Sequence, residues 1–441
     1  MRRLAIFVAT VVGSVAACGR DTSAPCDPAA LTAIAAPPVT TPIEDGAPPP
    51  ATTRFSYTRF GVNHILSTGQ SLAVGAASTA ESVKQPYGNL MLAFGVQASS
   101  GFSGPFAPLV ESGVETMSSA LANALTDLAL KDGIPLVSLV SVHGGGGTPY
   151  SGVKKGTALY QRGLDQVSGA LERTKVNGQS YAVRAVTSVH GESDSLARST
   201  TYEADIIQWQ VDYETDVQRL TGQTLPVPMF HTQNSQQAES RIPFDMLAAH
   251  IAAPGKVILV GPKYHLTYSD GTHLTTSSYK HLGEDYAKAY RRVVLEGGTW
   301  EPVRPKTITR DGATILIVFH VPVPPLVLDT TLVPPNDHYG FGYVDATADP
   351  AEPRAVGQDP VIERVEIIAP DTVRITLSSV PVVPGRIRYA VDYVGNVGPH
   401  GNLRDSDATP SRFGFDLSNW GVQFEEDIPV GVTPTPGVCP R

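Results

Sequence analysis

The pattern of hydrophobic and polar positions changes along the chain. From about residue 55 to residue 298, short β-branched runs alternate with amphipathic stretches. Alternation of this kind is typical of βαβ units, in which buried parallel strands are covered by helices. The predicted strands span residues 64–68, 135–142, 182–189, 227–232 and 256–260.

The predicted helices lie between these runs and after the last of them, at residues 114–131, 157–175, 202–220, 242–251 and 277–295. Each carries apolar residues at three- and four-residue spacing, so one face can cover a sheet. We therefore predict an α/β fold with a flavodoxin-like, doubly wound, five-stranded parallel sheet. In such folds ligands bind beyond the carboxyl ends of the strands.

The last third of the chain has a different pattern. From about residue 302, short alternating runs are separated by turns such as Asp311-Gly312 and Pro384-Gly385. The runs cover residues 313–321, 326–332, 361–368, 372–377 and 386–394. This pattern predicts a smaller all-β, sandwich-like domain at 299–441, after the α/β body at 56–298. The β domain either helps to shape a substrate cleft or packs against the body.

The first residues have the pattern of a bacterial secretory signal. Arg2 and Arg3 precede an apolar run, and Val-Ala-Ala-Cys at residues 15–18 resembles a lipobox. We expect a lipoprotein signal peptide at 1–17, a lipidated Cys18 and a Pro/Ala/Thr-rich tether at 18–55. Ordinary signal-peptidase cleavage after Ala17 is the alternative. Both alternatives predict export. Lipidation of Cys18 also predicts a membrane-anchored lipoprotein in the periplasm or at the cell surface.

Composition narrows the function classes. The 441 residues carry a formal net charge of −9, which argues against a nucleic-acid partner because phosphates require a basic face. Three cysteines are too few for a disulfide scaffold or a multi-cysteine zinc site. If Cys18 is acylated, Cys26 and Cys439 remain for a disulfide, and the sequence leaves open whether they pair.

Polar and glycine-rich segments follow all five predicted strands. They are Gly69-Gln70-Ser71, residues 143–150, residues 190–194, Gln233-Asn234 and Asp270-Gly271-Thr272-His273. Because the carboxyl ends of parallel strands meet at one edge, we expect these segments to form one rim.

This rim has the groups that serine acyl transfer requires. A serine hydroxyl needs an imidazole to take its proton and a carboxylate to orient that imidazole. Ser71, His273 and Asp270 can take these roles, since Gly271 lets the short turn bend back on itself. Gly146 and Gly147 can present backbone N–H groups to an oxyanion.

The same segments carry a family resemblance over about residues 60–295. GQS at 69–71, GGTP at 146–149, HGESD at 190–194 and DGTH at 270–273 resemble the blocks of the SGNH-hydrolase superfamily. The most similar branch is that of sialate O-acetylesterases and acetylxylan esterases. The resemblance implies a nucleophilic Ser71, a basic His273 oriented by Asp270, and an oxyanion hole built from the Ser71 amide, the glycine block and the third block.

Two positions depart from the family pattern, and one role is disputed. Leu72 replaces a frequent Asn, and His190 replaces a Gln. We expect a neutral His190 to donate to the oxyanion or substrate. Glu192 of the third block competes with Asp270 as the triad acid, and the short link to His273 favours Asp270.

These residues predict a secreted serine esterase that removes short acyl groups, most plausibly acetyl, from carbohydrate hydroxyls without a cofactor. The expected partners are an acetylated oligo- or polysaccharide and, through the lipid anchor, a membrane. One alternative is a metal-dependent hydrolase using rim residues His143, His190, His231, Asp270 and His273, although no spaced metal-binding pair is present. Another is a non-catalytic carbohydrate-binding lipoprotein on an esterase scaffold. The sequence specifies neither the acylated sugar nor the oligomeric state.

Overall fold

The central sheet has seven strands, five of which are the predicted parallel strands. The computed structural model describes residues 59–234, 240–345, 360–392 and 398–428. The predicted signal peptide, the tether and all three cysteines lie outside these residues. The strands of the central sheet are β1 Val62–Gly69, β2 Leu90–Met91, β3 Ala107–Pro108, β4 Ser138–Val142, β5 Tyr181–Val189, β6 Met229–His231 and β7 Val257–Leu259.

The order across this sheet is β3-β2-β4-β1-β5-β6-β7. The five predicted strands pair in parallel, in the 2-1-3-4-5 order of flavodoxin-like sheets. The prediction of five strands is incomplete, because β2 pairs with β4 in parallel and β3 pairs with β2 antiparallel at that edge. Each of these extra strands has only two residues, too few to show a hydrophobic period.

Seven helices accompany the sheet within the described residues. They are α1 Ser118–Lys131, α2 Tyr150–Val153, α3 Ala158–Val176, α4 Glu192–Leu196, α5 Tyr202–Thr221, α6 Ile242–Ala252 and α7 Thr276–Tyr290. The side chain of Thr275 caps α7 by accepting from the Ser278 N–H. The helix predicted at 277–295 is not one α-helix, since α7 passes into a π-helical turn at Arg291–Leu295.

Alternation along β1 places two hydrophobic cores on opposite faces of the sheet. Ile65 packs in a core with residues of α1 and α7, and the next residue, Leu66, packs in another with residues of α3, α5 and α6. Successive side chains of a strand point to opposite faces, so both faces of β1 are buried. The sheet is therefore covered on both sides, as a doubly wound fold requires.

The described residues after 303 form antiparallel sheets. Their strands are β8 Arg304–Asp311, β9 Thr314–His320, β10 Val327–Leu328, β11 Phe341–Asp345, β12 Ile362–Ala369, β13 Thr372–Leu377, β14 Gly385–Tyr389, β15 Leu403–Arg404 and β16 Phe424–Asp427. A four-stranded sheet has the order β12-β13-β9-β8, a three-stranded sheet has the order β11-β14-β16, and β10 pairs with β15.

Both larger sheets contribute to one hydrophobic core, as in a sandwich. Ile317 of β9 and Ile387 of β14 belong to it, together with Tyr264 from the loop after β7. This core therefore reaches the α/β body, and all described residues fall within one compact unit. Among the described residues, no helix combines the length and the apolar character needed to cross a bilayer.

Candidate active site

The turn that carries Ser71 is clamped between two neighbouring strand ends. Gln70 N–H donates to the carbonyl of Val189 at 3.2 Å, and Gly145 N–H donates to the carbonyl of Gly69 at 3.0 Å. Gly69 has φ +133°, and a Cβ there would lie 2.3 Å from the Val189 oxygen. Only glycine therefore fits at position 69. The turn holds Ser71 at the carboxyl end of β1, where 8% of the Ser71 surface is exposed.

His273 and Asp270 form the hydrogen-bonded pair that the sequence predicts. His273 Nδ1 donates to Asp270 Oδ2 at 2.7 Å, and the His273 N–H donates to Oδ1 at 2.8 Å. Thr272 N–H also donates to Oδ1, at 3.1 Å. The bonds from the backbone and ring of His273 lower the pKa of Asp270 to about 2. The carboxylate therefore stays ionised and fixes the tautomer in which Nε2 is free to accept a proton.

The segment after Ser71 is hydrogen-bonded to the first turns of α7, the helix that follows the His273 loop. The Tyr279 hydroxyl of α7 donates to the carbonyl of Ala76 at 2.9 Å, and the Ala76 N–H donates to the carbonyl of Ser71 at 3.0 Å. Thr79 N–H donates to Thr276 Oγ1 at 3.0 Å. The first turns of α7 therefore hold the segment after Ser71 beside the loop that carries the imidazole.

Glu192 has a different partner. Its Oε1 accepts from Lys263 Nζ at 2.9 Å, and both side chains are at most 5% exposed. Glu192 therefore pairs with a lysine, whereas Asp270 is the carboxylate that contacts His273. Sequence reasoning missed Lys263, although a lysine two residues after a glycine at a strand end, in Gly261-Pro262-Lys263, is a signal that could have been noted.

His190 does not offer a hydrogen to an oxyanion in this arrangement. Its Nε2 lies 3.0 Å from the Thr148 carbonyl, which can only accept, so Nε2 carries the proton. Nδ1 then accepts from the Tyr202 hydroxyl at 2.6 Å. Burial lowers the pKa of His190 to about 4, which keeps the ring neutral. The predicted donor role is corrected: both nitrogens are occupied, and the ring ties the glycine block to α5.

The glycine block makes its closest packing contacts at its first residue. A Cβ on Gly144 would lie 2.6 Å from the Gly69 oxygen, whereas a Cβ on Gly146 or Gly147 would meet nothing within 4 Å. Gly146 and Gly147 are exposed, and Gly147 has φ +64°. Packing therefore requires glycine at 144, while the exposed pair leaves its backbone open at the rim.

Gln70 and Asp194 stabilise the loops of the rim. Gln70 Oε1 accepts from the Ser193 N–H at 3.2 Å, which joins the first and third blocks. Asp194 accepts from the Tyr150 N–H at 3.0 Å, and burial raises its pKa to about 6. Tyr150 packs edge-on against Trp209 with ring centroids 5.7 Å apart, so both aromatics belong to the core.

The rim histidines proposed for a metal do not cluster. His143 Nε2 lies 2.6 Å from the Tyr213 hydroxyl, and burial lowers the pKa of both His143 and His231 to about 3. Within the described ranges, the one group with metal-ligand spacing contains none of the five residues named for that alternative.

A comparison with protein families gives a match that includes three of the four segments that carry the family resemblance. Residues 111–292 match the family model of carbohydrate esterases, sialic acid-specific acetylesterase. The match is shorter than half of the chain. It includes the glycine block, the third block and the Asp270–His273 turn, while Ser71 precedes it. No curated protein matches the chain.

Three solved structures are similar to this chain at low sequence identity. A carbohydrate acetylesterase from Xanthomonas citri is 14% identical with a TM-score of 0.47, over 83% of this chain and 80% of its own. A protein from Arabidopsis thaliana is 18% identical with a TM-score of 0.37, over 52% and 97%. A carbohydrate acetylesterase from Sinorhizobium meliloti is 14% identical with a TM-score of 0.31, over 51% and 97%. Residues 111–292 thus carry the sequence pattern of the sialic acid-specific acetylesterase family of carbohydrate esterases, as the motifs predicted.

Proposed function

We propose that the protein is a serine esterase that removes O-acetyl groups from carbohydrate hydroxyls through an acyl-enzyme intermediate. The observation that carries the proposal is the 2.7 Å bond from His273 Nδ1 to Asp270 Oδ2, on the loop before helix α7, whose Tyr279 hydrogen-bonds Ala76 in the segment after Ser71. An imidazole that is oriented by a carboxylate and acts with a serine is the arrangement that acyl transfer needs. The family match of residues 111–292 supports the acetyl and sugar preference.

The mechanism assigns one step to each group. Ser71 Oγ attacks the acetyl carbonyl carbon while His273 Nε2 takes the hydroxyl proton. Backbone N–H groups of Ser71, Gly146 and Gly147 stabilise the oxyanion. His273 then returns the proton to the departing sugar oxygen, which leaves an acetyl ester on Ser71. Water, activated by the same imidazole, cleaves this ester and releases acetate.

The accessibility of the site suits a bulky substrate. The side chains of His273 and Asp270 are 25% and 48% exposed, so the catalytic pair lies at the surface. A sugar in an oligo- or polysaccharide can approach such a rim without first being enclosed. We include in the proposal that the enzyme is exported and tethered by a lipid on Cys18, which places it near such glycans.

The test measures acetate release by the full chain from 4-nitrophenyl acetate, O-acetylated sialic acid and acetylated xylan. Ser71→Ala should lower kcat on every accepted substrate by on the order of 10⁴- to 10⁶-fold. Ser168→Ala, on the exposed face of α3, is the matched control and should behave like the parent. Undiminished hydrolysis by a folded Ser71→Ala variant would refute the serine mechanism, and failure on both glycans would refute the substrate class.

The anchoring part of the proposal has its own test. Cells expressing the full chain are fed a radiolabelled fatty acid, and the protein is recovered by immunoprecipitation. Label should appear in the parent and in Cys26→Ser but not in Cys18→Ser. An unlabelled parent that is nevertheless secreted would favour cleavage by ordinary signal peptidase.

A further inference from the structure

Three metal-ligand side chains converge away from the Ser71 rim. His281 and Asp285 lie four residues apart on one face of α7, and His265 approaches from the loop after β7. Their ligand-type atoms all lie within 4.8 Å of one another. The side chains of His265, His281 and Asp285 are only 7%, 15% and 13% exposed.

The distances between these ligand atoms are close to those between the ligands of a bound metal ion. Asp285 Oδ2 lies 3.5 Å from His265 Nε2 and 3.9 Å from His281 Nε2. Ligands at about 2.0–2.1 Å from a tetrahedral zinc are separated by about 3.4 Å, so small side-chain rotations suffice. Lys288 Nζ lies 3.9 Å from the other oxygen, Oδ1, and leaves Oδ2 to the histidines.

Three of the four ring nitrogens of His265 and His281 lack a partner in hydrogen-bond geometry among the described residues. Both ring nitrogens of His265 and Nε2 of His281 are buried without a partner in hydrogen-bond geometry among the described residues. Unsatisfied buried polar atoms are uncommon in folded proteins and call for an explanation. His281 also has a hydrogen bond with a backbone group of Asp416, the kind of outer-shell bond that orients a metal-binding ring.

Aromatic rings hold both imidazoles from the side. Phe415 stacks on His281 with centroids 4.7 Å apart, and Trp420 stacks on His265 at 6.0 Å. Stacking covers the ring faces and leaves the in-plane nitrogen lone pairs available. A cavity of about 20 Å³ borders His265 and Asp285, with Asn419 and Thr232 also in its wall. Its volume is sufficient for one water, the fourth ligand that a three-ligand site takes.

We infer that His265, His281 and Asp285 bind one zinc ion, with a water as fourth ligand, where the C-terminal segment meets the α/β body. Two imidazoles and a carboxylate form a ligand set that zinc accepts. The ion stabilises the packing of residues 415–420 against α7 and takes no part in chemistry at Ser71.

The test uses the full chain, freed of metal with a chelator and titrated with Zn²⁺ alone. The parent should bind about one ion per chain by elemental analysis, and its Tm should rise with the Zn²⁺ concentration. Asp285→Asn and His281→Gln should weaken binding by at least about 100-fold, since loss of an outer-shell partner alone costs 10–100-fold. His320→Gln, outside the cluster, should bind zinc like the parent.

Two results would overturn the inference: a parent whose Tm and metal content do not respond to Zn²⁺, or variants that retain its affinity. If the variants do not fold, the visible spectrum of the Co²⁺-loaded parent decides. Four-coordinate bands without thiolate charge transfer support the site, whereas thiolate bands assign the ion to cysteine and refute it. Ser71→Ala should bind zinc like the parent, so failure of this inference and failure of the esterase proposal are recognised separately.

Discussion

Lys263 Nζ lies 2.9 Å from Glu192 Oε1, while His273 Nδ1 lies 2.7 Å from Asp270 Oδ2. The two acids that compete for one role in the sequence therefore have different basic partners. Glu192 neutralises a buried ammonium group beneath the rim, and Asp270 orients the exposed imidazole. This separation allows their contributions to rate and stability to be measured independently.

Asp270→Asn should lower kcat by about 10³- to 10⁴-fold without unfolding the protein. An amide in place of the carboxylate favours the wrong tautomer of His273 and does not stabilise its charged form. Steady-state hydrolysis of 4-nitrophenyl acetate measures the loss, and the exposed Asp165→Asn in α3 is the control. If a folded Glu192→Gln variant loses more activity than Asp270→Asn, the assignment of the acid is wrong.

Lys263→Met should reduce the free energy of unfolding by about 3–5 kcal/mol, because it leaves Glu192 charged and buried without its lysine. Urea unfolding followed by fluorescence measures this change. The double variant Lys263→Met/Glu192→Gln should recover part of the loss, and the surface Lys175→Met should be neutral. Strictly additive effects of the two substitutions would show that the pair is not coupled.

His190→Ala should lower kcat/KM on the order of 10- to 100-fold, because it releases the Thr148 carbonyl and lets the glycine block shift. It should also cost about 1–3 kcal/mol of stability by leaving buried polar groups unpaired. His190→Gln keeps an N–H donor and should retain most of the activity. Equal activity in all three proteins would contradict the positioning role.

His64 should make stability depend on pH. Burial, with a smaller contribution from the charge of His143, lowers the pKa of His64 from 6.5 to about 3. Between these values the unfolded chain binds a proton that the folded state excludes. The free energy of unfolding therefore falls as pH decreases, by up to about 1.4 kcal/mol per pH unit from this group.

The comparison with His64→Gln isolates that contribution. Urea unfolding of both proteins at about pH 7, 5.5 and 4.5 should show a smaller loss with acid in the variant, because other titrating groups are common to both. The exposed His338→Gln should follow the parent. Parallel curves for the parent and His64→Gln would show that this imidazole is not held neutral by the fold.

The hydrophobic pattern predicted those strands and helices that are long enough to show a period. The five parallel strands and their order follow from alternating buried runs and amphipathic helices. The pattern did not predict strands β2 and β3, because two residues are too few to show a hydrophobic period. The pattern did not predict the end of α7. The change to a π-helical turn at Arg291–Leu295 depends on backbone hydrogen bonds and leaves the apolar spacing almost unaltered.

The site was predictable where its groups are neighbours in sequence. Asp270 and His273 are three residues apart, so a turn alone brings them together. Lys263 meets Glu192 across 71 residues of chain, and only the folded sheet brings them into contact. The prediction for His190 is wrong for the same reason, since the sequence does not show that Thr148 and Tyr202 lie beside its ring.

Helix α7 connects the C-terminal part of the chain to the loop that carries His273. Its 15 residues form a rod about 22 Å long that begins three residues after His273. Toward the other end, Lys288 binds Asp407 and Asn419, and Glu284 accepts from the Arg412 N–H. The C-terminal part thus packs against the helix that follows the His273 loop. A chain that ends at residue 298 would keep Ser71, Asp270 and His273 but lose the contacts of Lys288 and Glu284 that support α7.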